Sequence, residues 1–550
     1  MEQKTETTEA EVKDTHTVVH EIHHEPHHEP LRIMTATSAL LIAAPAKTAA
    51  VLAAEQRKLQ KTKTSANDAA KATRCKSLKI LFCISEAQPF VATGGLGEVG
   101  GSLPRAIGSM ADIRVILPLY STISSELRKK FTFLGAIDID FAWRKEYMGI
   151  FTYKTNNVTY YFVDNEKYFK RDRIYGYDDD GERFAYFSKA IIDSAQITGF
   201  RPDIVHANDW HTALSIVYLK TAYAEVKEFA KTRTLFTIHN MNYQGKYPYD
   251  FFNILCLDYK FKNLLEYDGQ INLVKGAIEC SDMFSTVSPS YAEEMKSLRF
   301  AVGLEICINN NAQKLVGILN GIDYKYYNPK ADKELFAQYD KKTVSGKAVN
   351  KHEVQKLFQM QTDTSIPMLL YNGRLVEQKG IDLIKDGIDA IMQQRIQMIV
   401  MGNGEKRYES FFDHIESKYQ GKFKALRYSN NLSKKLYAAA DMVLMPSAFE
   451  PCGLCQMIAS RYGTIPIVHE TGGLKDSIRD FGCEGGGNGY TFRDYSTHDM
   501  LYSIRRVITD FDNDGKPWKD KIITCMNKDF SWKSAVNEYL ALYRKIKKGK

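Results

Sequence analysis

Two cations five residues apart, one glutamate and one histidine carry most of the chemistry this 550-residue chain could perform. "YNGRLVEQKG" sets Arg374 and Lys379 just after an apolar run that reads as a β-strand. A guanidinium grips phosphate oxygens in pairs and an ammonium acts as a movable point charge, so two cations at one strand end suit a diphosphate. By pattern alone, solvated surface charges are the safer reading. "SAFEPCGLCQ" puts Glu450 at the end of the apolar run "ADMVLMP", ahead of a helix. A carboxylate there can orient a sugar hydroxyl or face a cationic reaction centre. Its plainer reading is an acid favoured by a helix N-terminus.

Two histidine-bearing stretches complete the set. "VHANDWHTAL" carries His206, Asp209, Trp210 and His211, and "FTIHNMNYQG" carries His239 and Asn240 at a strand end. A lone histidine is more often structural than catalytic; His239 stands out because polar and aromatic residues follow it. "FVATGGLGEVGGSLPRAI" packs five glycines into residues 94–101. Gly94 and Gly95 follow a strand and precede a helix. Without Cβ atoms they let a ligand approach backbone N–H groups, and the helix N-terminus adds partial positive charge suited to phosphate. A tight turn with no ligand would need the same glycines.

These residues must be positioned by strands. "LKILFCISE", "IRVILPLY", "DIVHANDWHTALSIVYLK" and "RTLFTIHNMNYQG" read as strand, loop and helix in alternation, the opening of a parallel α/β sheet. A second series follows in "PMLLYNGRLVEQKGIDLIKDGI", "IQMIVMGNG", "ADMVLMPSAF" and "TIPIVHETGG". The expected fold is therefore α/β, with two doubly wound Rossmann-like domains and the site in the cleft between them. The division expected is an extension over 1–75, a first domain over 76–330, a second over 331–528 and a closing amphipathic helix within 529–550. The boundary is expected between 323 and 366, where the stretch 323–352 is polar.

Composition narrows the function. The net charge of +8 is small for this length and its basic residues cluster near the two ends, which argues against a nucleic-acid stripe. Nine scattered cysteines point to reduced thiols and a cytoplasmic location, ahead of a plastid one. Cys452 and Cys455 form a single C-x-x-C, which is weak evidence for metal or redox work. Residues 38–54 are apolar but contain Pro45 and Lys47, and they are shorter than the roughly 20 residues a membrane helix needs. Six of the 13 histidines lie between His16 and His28, a tract that could bind a divalent metal but reads better as a biased tail.

Taken in order, "TGGLGEV", "HANDWH", "FTIHNMNYQG", "TVSPSYAEEM", "GILNGID", "GRLVEQKG", "FEPCGLCQ" and "TGGLKDSI" resemble bacterial-type glycogen and starch synthases. These are GT-B glycosyltransferases that move glucose from a nucleotide sugar onto an α-1,4-glucan. The resemblance implies that His239 lies beside the transferred glucose, with Asp209 and Asn320 helping to hold it. It implies that Arg374 and Lys379 neutralise the diphosphate and that Glu450 contacts the sugar. Cys452, Gly453 and Leu454 join it through their loop, where the amides of Gly453 and Leu454 bind sugar. Thr93, Gly94, Gly95 and Glu98 line the donor side, Trp210 adjoins Asp209, and Tyr428 stacks on the base. Implied partners are ADP-glucose ahead of UDP-glucose and an α-1,4-glucan, with no cofactor, no metal, no nucleic acid and no membrane. The last helix is expected to cross back to the first domain.

Three positions depart from the family pattern. Ala92 stands where a lysine is usual, Glu98 where an aspartate is common, and Cys455 where a serine or threonine is usual. The alternative function is a glucan-binding scaffold that has lost catalysis, and Ala92 is its best support. A GT-B phosphorylase is a weaker rival, because no pyridoxal-lysine context is recognisable. Retaining glycosidases usually set two carboxylates about 5 Å apart, but the position eight residues after Glu450 is Ile458. That favours same-face transfer over a covalent intermediate. The D-x-D motifs, Asp138–Asp140 and Asp512–Asp514, lie away from the strand-end motifs. Glucose transfer is therefore expected to persist in a chelator; loss restored only by Mn²⁺ or Mg²⁺ would overturn the reading of Arg374 and Lys379 as the diphosphate's counter-charge.

Overall fold

The computed structural model describes residues 78–155, 157–513 and 515–549. The His-rich tract, the apolar stretch 38–54 and the remainder of the 1–75 extension lie outside the described residues. The described residues belong to one compact unit, within which two sheets each have their own core.

The first sheet begins with β1 Lys79–Cys83, β2 Asp112–Pro118, β3 Thr132–Phe141, β4 Arg144–Thr155, β5 Val158–Asp164, β6 Ile204–Asn208 and β7 Arg233–Ile238. The short strands β8 Lys246–Tyr247, β9 Glu266–Tyr267 and β10 Gln270–Asn272 form a separate antiparallel sheet, and β11 Met283–Thr286 and β12 Leu315–Gly317 return to the first. Its spatial order is β12-β11-β7-β6-β1-β2-β5-β4-β3, parallel except where β4 runs antiparallel to β3 and β5. The second sheet is wholly parallel, in the order β15-β14-β13-β16-β17-β18, from β13 Met368–Asn372, β14 Gln397–Met401, β15 Phe423–Leu426, β16 Met442–Met445, β17 Ile465–His469 and β18 Tyr490–Phe492. Segments such as "MLLYN" and "QMIVM" are buried along their whole length, as strands covered by helices on both faces must be.

The antiparallel excursion β3–β4–β5 is absent from the sequence reading above. "FTFLGAIDIDF" alternates apolar and polar residues, the pattern of a strand with one wet face, and it interrupts an otherwise regular βα series.

Each sheet reverses its winding once. In the first the chain steps outward from β1 to β2, then returns to lay β6 on the other side of β1; in the second β13 is flanked in the same way by β14 and β16. Such reversals open a crevice at the carboxyl ends of the strands. The loops leaving β1 and β6 hold Thr93–Gly95 and Asp209; those leaving β13 and β16 hold Arg374, Lys379 and Glu450.

The final helix, Lys533–Lys547, buries Val536, Tyr539, Leu540 and Tyr543 in the core of the first sheet. To reach it the chain crosses between lobes twice, and the crossings lie side by side. The Ile322 N–H donates to Phe530 O at 2.8 Å, and Ile322 bridges Ser531 in parallel register. Tyr543 then meets β6 at His206: its hydroxyl lies 2.7 Å from Nδ1, while Nε2 lies 2.6 Å from Thr237 Oγ1. His206 is thus a core peg, its pKa driven far down by burial. His211 is also internal, stacked on Tyr175 at 4.7 Å and pushed down to about 3 by burial. Tyr543→Phe strands one buried imidazole nitrogen and is expected to cost about 1–3 kcal/mol, read as a lower urea midpoint; an unchanged midpoint would show that the bond contributes nothing.

Candidate active site

Four loops converge from the two lobes. Arg374 Nη1 donates to the hydroxyl of Tyr243, 3.3 Å away on the loop that follows His239. A Cβ placed on Gly95 would stand 3.7 Å from Leu454 Cδ1, so the glycine loop faces the Glu450 loop directly. Ser288 Oγ donates to Pro451 O at 2.6 Å, beside Glu450. These contacts bring His239, Arg374, Lys379, Glu450 and the 93–95 loop to one cleft.

His239 owes its chemistry to Asn208. The Asn208 Nδ2 group donates to Cys83 O at 3.0 Å and to His206 O at 3.3 Å, which leaves Oδ1 as an acceptor. His239 Nε2 lies 2.9 Å from that Oδ1 and must therefore carry the proton. Nδ1 is left with its lone pair. Burial pushes the His239 pKa down to about 3, so the ring acts as a neutral acceptor for a hydroxyl. Asp209 sets the loop: Oδ1 accepts the His239 N–H at 2.7 Å, and the Asn240 N–H also reaches the carboxylate. Asp209 sits at φ +56°, a strained value for a residue with a side chain, and burial pushes its pKa up to about 7.

On the second lobe, Lys379 Nζ is held by Glu450 Oε2, which also accepts from Ser447 Oγ at 3.1 Å. Glu450 is buried and Arg374 is exposed. The Glu450 loop rests on the start of the helix Gly472–Ser477. A Cβ on Gly473 would come within 2.2 Å of Cys452 O, so only glycine permits that approach, and its N–H donates to Glu450 O at 2.9 Å. Asn320 is buried beside the Cys452 thiol with its Oδ1 lacking a protein partner. Cys452 and Cys455 do not act as a pair: the Cys455 Sγ donates instead to Asn372 O at 3.2 Å. Tyr428 leaves half its surface exposed, its hydroxyl bonded to Asn430 Oδ1 at 2.7 Å. Gly453 turns the loop at φ +70°, and Leu454 precedes the helix Cys455–Arg461.

Other sequence-predicted residues have different surroundings. Trp210 is buried edge-on to Phe184 at 5.2 Å and beside Tyr247, a packed ring rather than an open stacking face. The Glu98 carboxylate is taken by the hydroxyl of Tyr327, which belongs to the second core; the pair ties the first helix, Gly95–Ile107, to the interlobe crossing. Thr93 is exposed, with both its N–H and its hydroxyl turned to Glu86. Glu86, Asn208, Tyr243 and Ser447 are absent from the sequence reading. Each is a polar residue at the end of an apolar run or within a few residues of a chosen motif, which is the signal that could have found them.

Among the described residues, no group of three or more His, Cys, Asp or Glu is placed to hold a metal ion, and no helix is long and apolar enough to cross a membrane. A cavity of about 570 Å³ bounded by Phe481, Tyr490, Tyr502 and Arg506 lies within the second lobe and contains none of the residues above.

Two Rossmann-like lobes with a basic pair facing a carboxylate and a neutral histidine define a glycosyltransferase of the GT-B type. Residues 79–310 match the family described as starch synthase catalytic domain, and residues 355–520 match glycosyl transferases group 1. A glycogen synthase from Clostridium acetobutylicum is 42% identical over 476 residues, 85% of this chain and 100% of that protein. One from Anoxybacillus flavithermus is 39% identical over 86% of this chain and 99% of its own length. The chain belongs to the glycogen/starch synthase family and is a glucosyltransferase. Among solved structures it resembles the catalytic domain of starch synthase IV from Arabidopsis thaliana, bound to ADP and acarbose, with a TM-score of 0.80, 32% identity, and coverage of 86% of this chain and 99% of that one. Sucrose-phosphate synthase from Thermosynechococcus elongatus shares the fold, with a TM-score of 0.54 and 14% identity over 86% of this chain and 100% of that one.

The pKa of His239 lies below that of an unfolded imidazole, so acid favours the unfolded chain from about pH 6.5 downward. In ring-nitrogen NMR, His239 is expected to stay neutral from about pH 8 to about pH 5. A transition near the ordinary value would show that its ring is solvated.

Proposed function

We propose that this glucosyltransferase extends α-1,4-glucans by transferring glucose from ADP-glucose, with retention of configuration. The observation that carries the reading is the meeting of Arg374 and Lys379 with Tyr243 and Glu450, which gathers two positive charges opposite the His239 loop. ADP is preferred to UDP because the starch synthase domain that this chain resembles was solved with ADP. The second lobe takes the nucleotide sugar and the first lobe the glucan. Scattered cysteines support a reducing, cytoplasmic setting.

In this scheme the bond between glucose C1 and the diphosphate oxygen breaks as Arg374 and Lys379 take up the negative charge that grows there. Glu450 holds a sugar hydroxyl and faces the oxocarbenium-like carbon, while the lone pair on His239 Nδ1 accepts from another hydroxyl. The glucan hydroxyl adds to C1 from the face the diphosphate leaves, and its proton passes to a departing phosphate oxygen. Asp209 acts through the backbone, fixing His239. Tyr428 offers its exposed ring to the base, and Asn320 Oδ1 is a spare acceptor for the sugar. Closure of the lobes keeps water from intercepting C1.

Incubation with radiolabelled ADP-glucose or UDP-glucose plus glycogen tests the reading. Faster incorporation from ADP-glucose is expected, and none from either donor would favour the non-catalytic scaffold. Arg374→Ala should lower transfer by about 10²-fold or more with little change in stability, because the side chain is exposed. Lys379→Ala should lower both, since it strips the counter-charge from buried Glu450. Unimpaired transfer by Arg374→Ala would remove the basis of the charge argument.

A further inference from the structure

Glu86 stands three residues beyond β1 and is 2% exposed. Burial raises its pKa, and the groups that hold it are neutral. The Thr93 N–H donates to Oε2; the Thr93 hydroxyl and the Tyr175 hydroxyl each donate to Oε1 at 2.8 Å; the Gly94 N–H also reaches the carboxylate. Tyr175 is fixed in turn, with Ser85 Oγ 2.7 Å from its hydroxyl and its ring stacked on His211. Burying a carboxylate away from cations is expensive unless several donors compensate, and here the donors come mostly from one loop.

That loop opens the 13-residue helix Gly95–Ile107, whose N-cap, Gly94, has no side chain to satisfy the first amides. Glu86, in the segment after β1, instead holds the two amides just ahead of that turn, those of Thr93 and Gly94, and leaves the first helical amides without a side-chain cap. The packing leaves no slack: a Cβ on Gly97 would lie 2.4 Å from Ala92 Cβ and 3.2 Å from Glu86 Oε2. Ala92, exposed and without a polar group, offers the loop no anchor of its own.

We propose that Glu86 is a positioning residue for glucose transfer, holding Thr93 and Gly94 from beneath so that Gly95 and the helix N-terminus face Leu454 across the cleft at the distance the donor's phosphates require. The amides of Thr93 and Gly94 are consequently committed to Glu86, and those further into the first turn are the ones presented to the ligand. The inference rests on the donor assignment above. It predicts an effect on the nucleotide sugar and none on the glucan.

The test measures ADP affinity by calorimetry, and KM for ADP-glucose and for glycogen separately, in the full chain and in Glu86→Ala, Glu86→Gln and Thr93→Val. Glu86→Ala is expected to raise both the ADP Kd and the donor KM about tenfold, with glycogen KM unchanged. Glu86→Gln should fall between, because its amide oxygen still accepts one bond while its NH₂ confronts a donor. Thr93→Val keeps the carboxylate and loses one donor, so about a threefold rise is expected; this variant decides if Glu86→Ala does not fold. Donor KM and ADP affinity within twofold of the parent, in a variant whose melting temperature alone has dropped, would make Glu86 merely structural and sink the inference while leaving the function intact. A parent protein that neither binds ADP nor transfers glucose would sink both.

Discussion

A carboxylate buried as deeply as Glu450 needs a counter-charge, and Lys379 supplies it from the neighbouring loop. This pair depends on the winding of the second sheet. Only where β13 and β16 lie side by side, with connections leaving in opposite directions, can a lysine following one strand touch a glutamate following the other. The Gly472–Gly473 turn presses the Glu450 loop into place, and Ser447 takes up a further lone pair on the carboxylate. Without the pair, one charge would be stranded in a poorly solvated pocket and the loop would have no reason to keep its course.

The first lobe meets that arrangement through contacts of a different kind. Gly472 N–H donates to Glu294 at 2.8 Å, and Asp476 accepts from Ser290 N–H at 2.7 Å and from its hydroxyl at 2.6 Å. These are carboxylates on helix-end amides and hydroxyls, directional yet individually modest in energy. They align the lobes without welding them together, as suits a cleft that must admit a glucan chain. Glu98 and Tyr327 add a tie on the far side of the glycine loop, which is what the extra methylene of Glu98 accomplishes relative to an aspartate.

Much of this was legible in residue order. The two strand series, the strand-end placement of Arg374, Lys379, Glu450 and His239, and the amphipathic closing helix rest on local apolar periodicity and turn residues; the return of that helix to the first lobe followed from the family resemblance alone. What escaped notice depends on tertiary pairing. Nothing near Asn208 in sequence says that its amide is fixed by Cys83 O, 125 residues earlier, and so decides which nitrogen of His239 is protonated. The two histidines of "HANDWH" are structural, as a lone histidine more often is, but their partners are not legible locally: His206 anchors the last helix and His211 packs on Tyr175, because both lie inside the sheet–helix layer. Lys379 reads as a free cation, although the structure pairs it with an acid 71 residues away.

The paired crossings at Ile322 and Ser531 have a mechanical consequence. Both segments pass through the same spot and are stitched by a backbone bond, so a rotation of one lobe against the other would disturb the join least about an axis near that stitch. Gly321, whose absent side chain would otherwise overlap Ser531 C at 2.7 Å, sits at the pivot itself. The arrangement resembles a door hung on two adjacent pins: a swing of one lobe against the other would turn about this stitch, whereas shear would break the bond that joins the crossings.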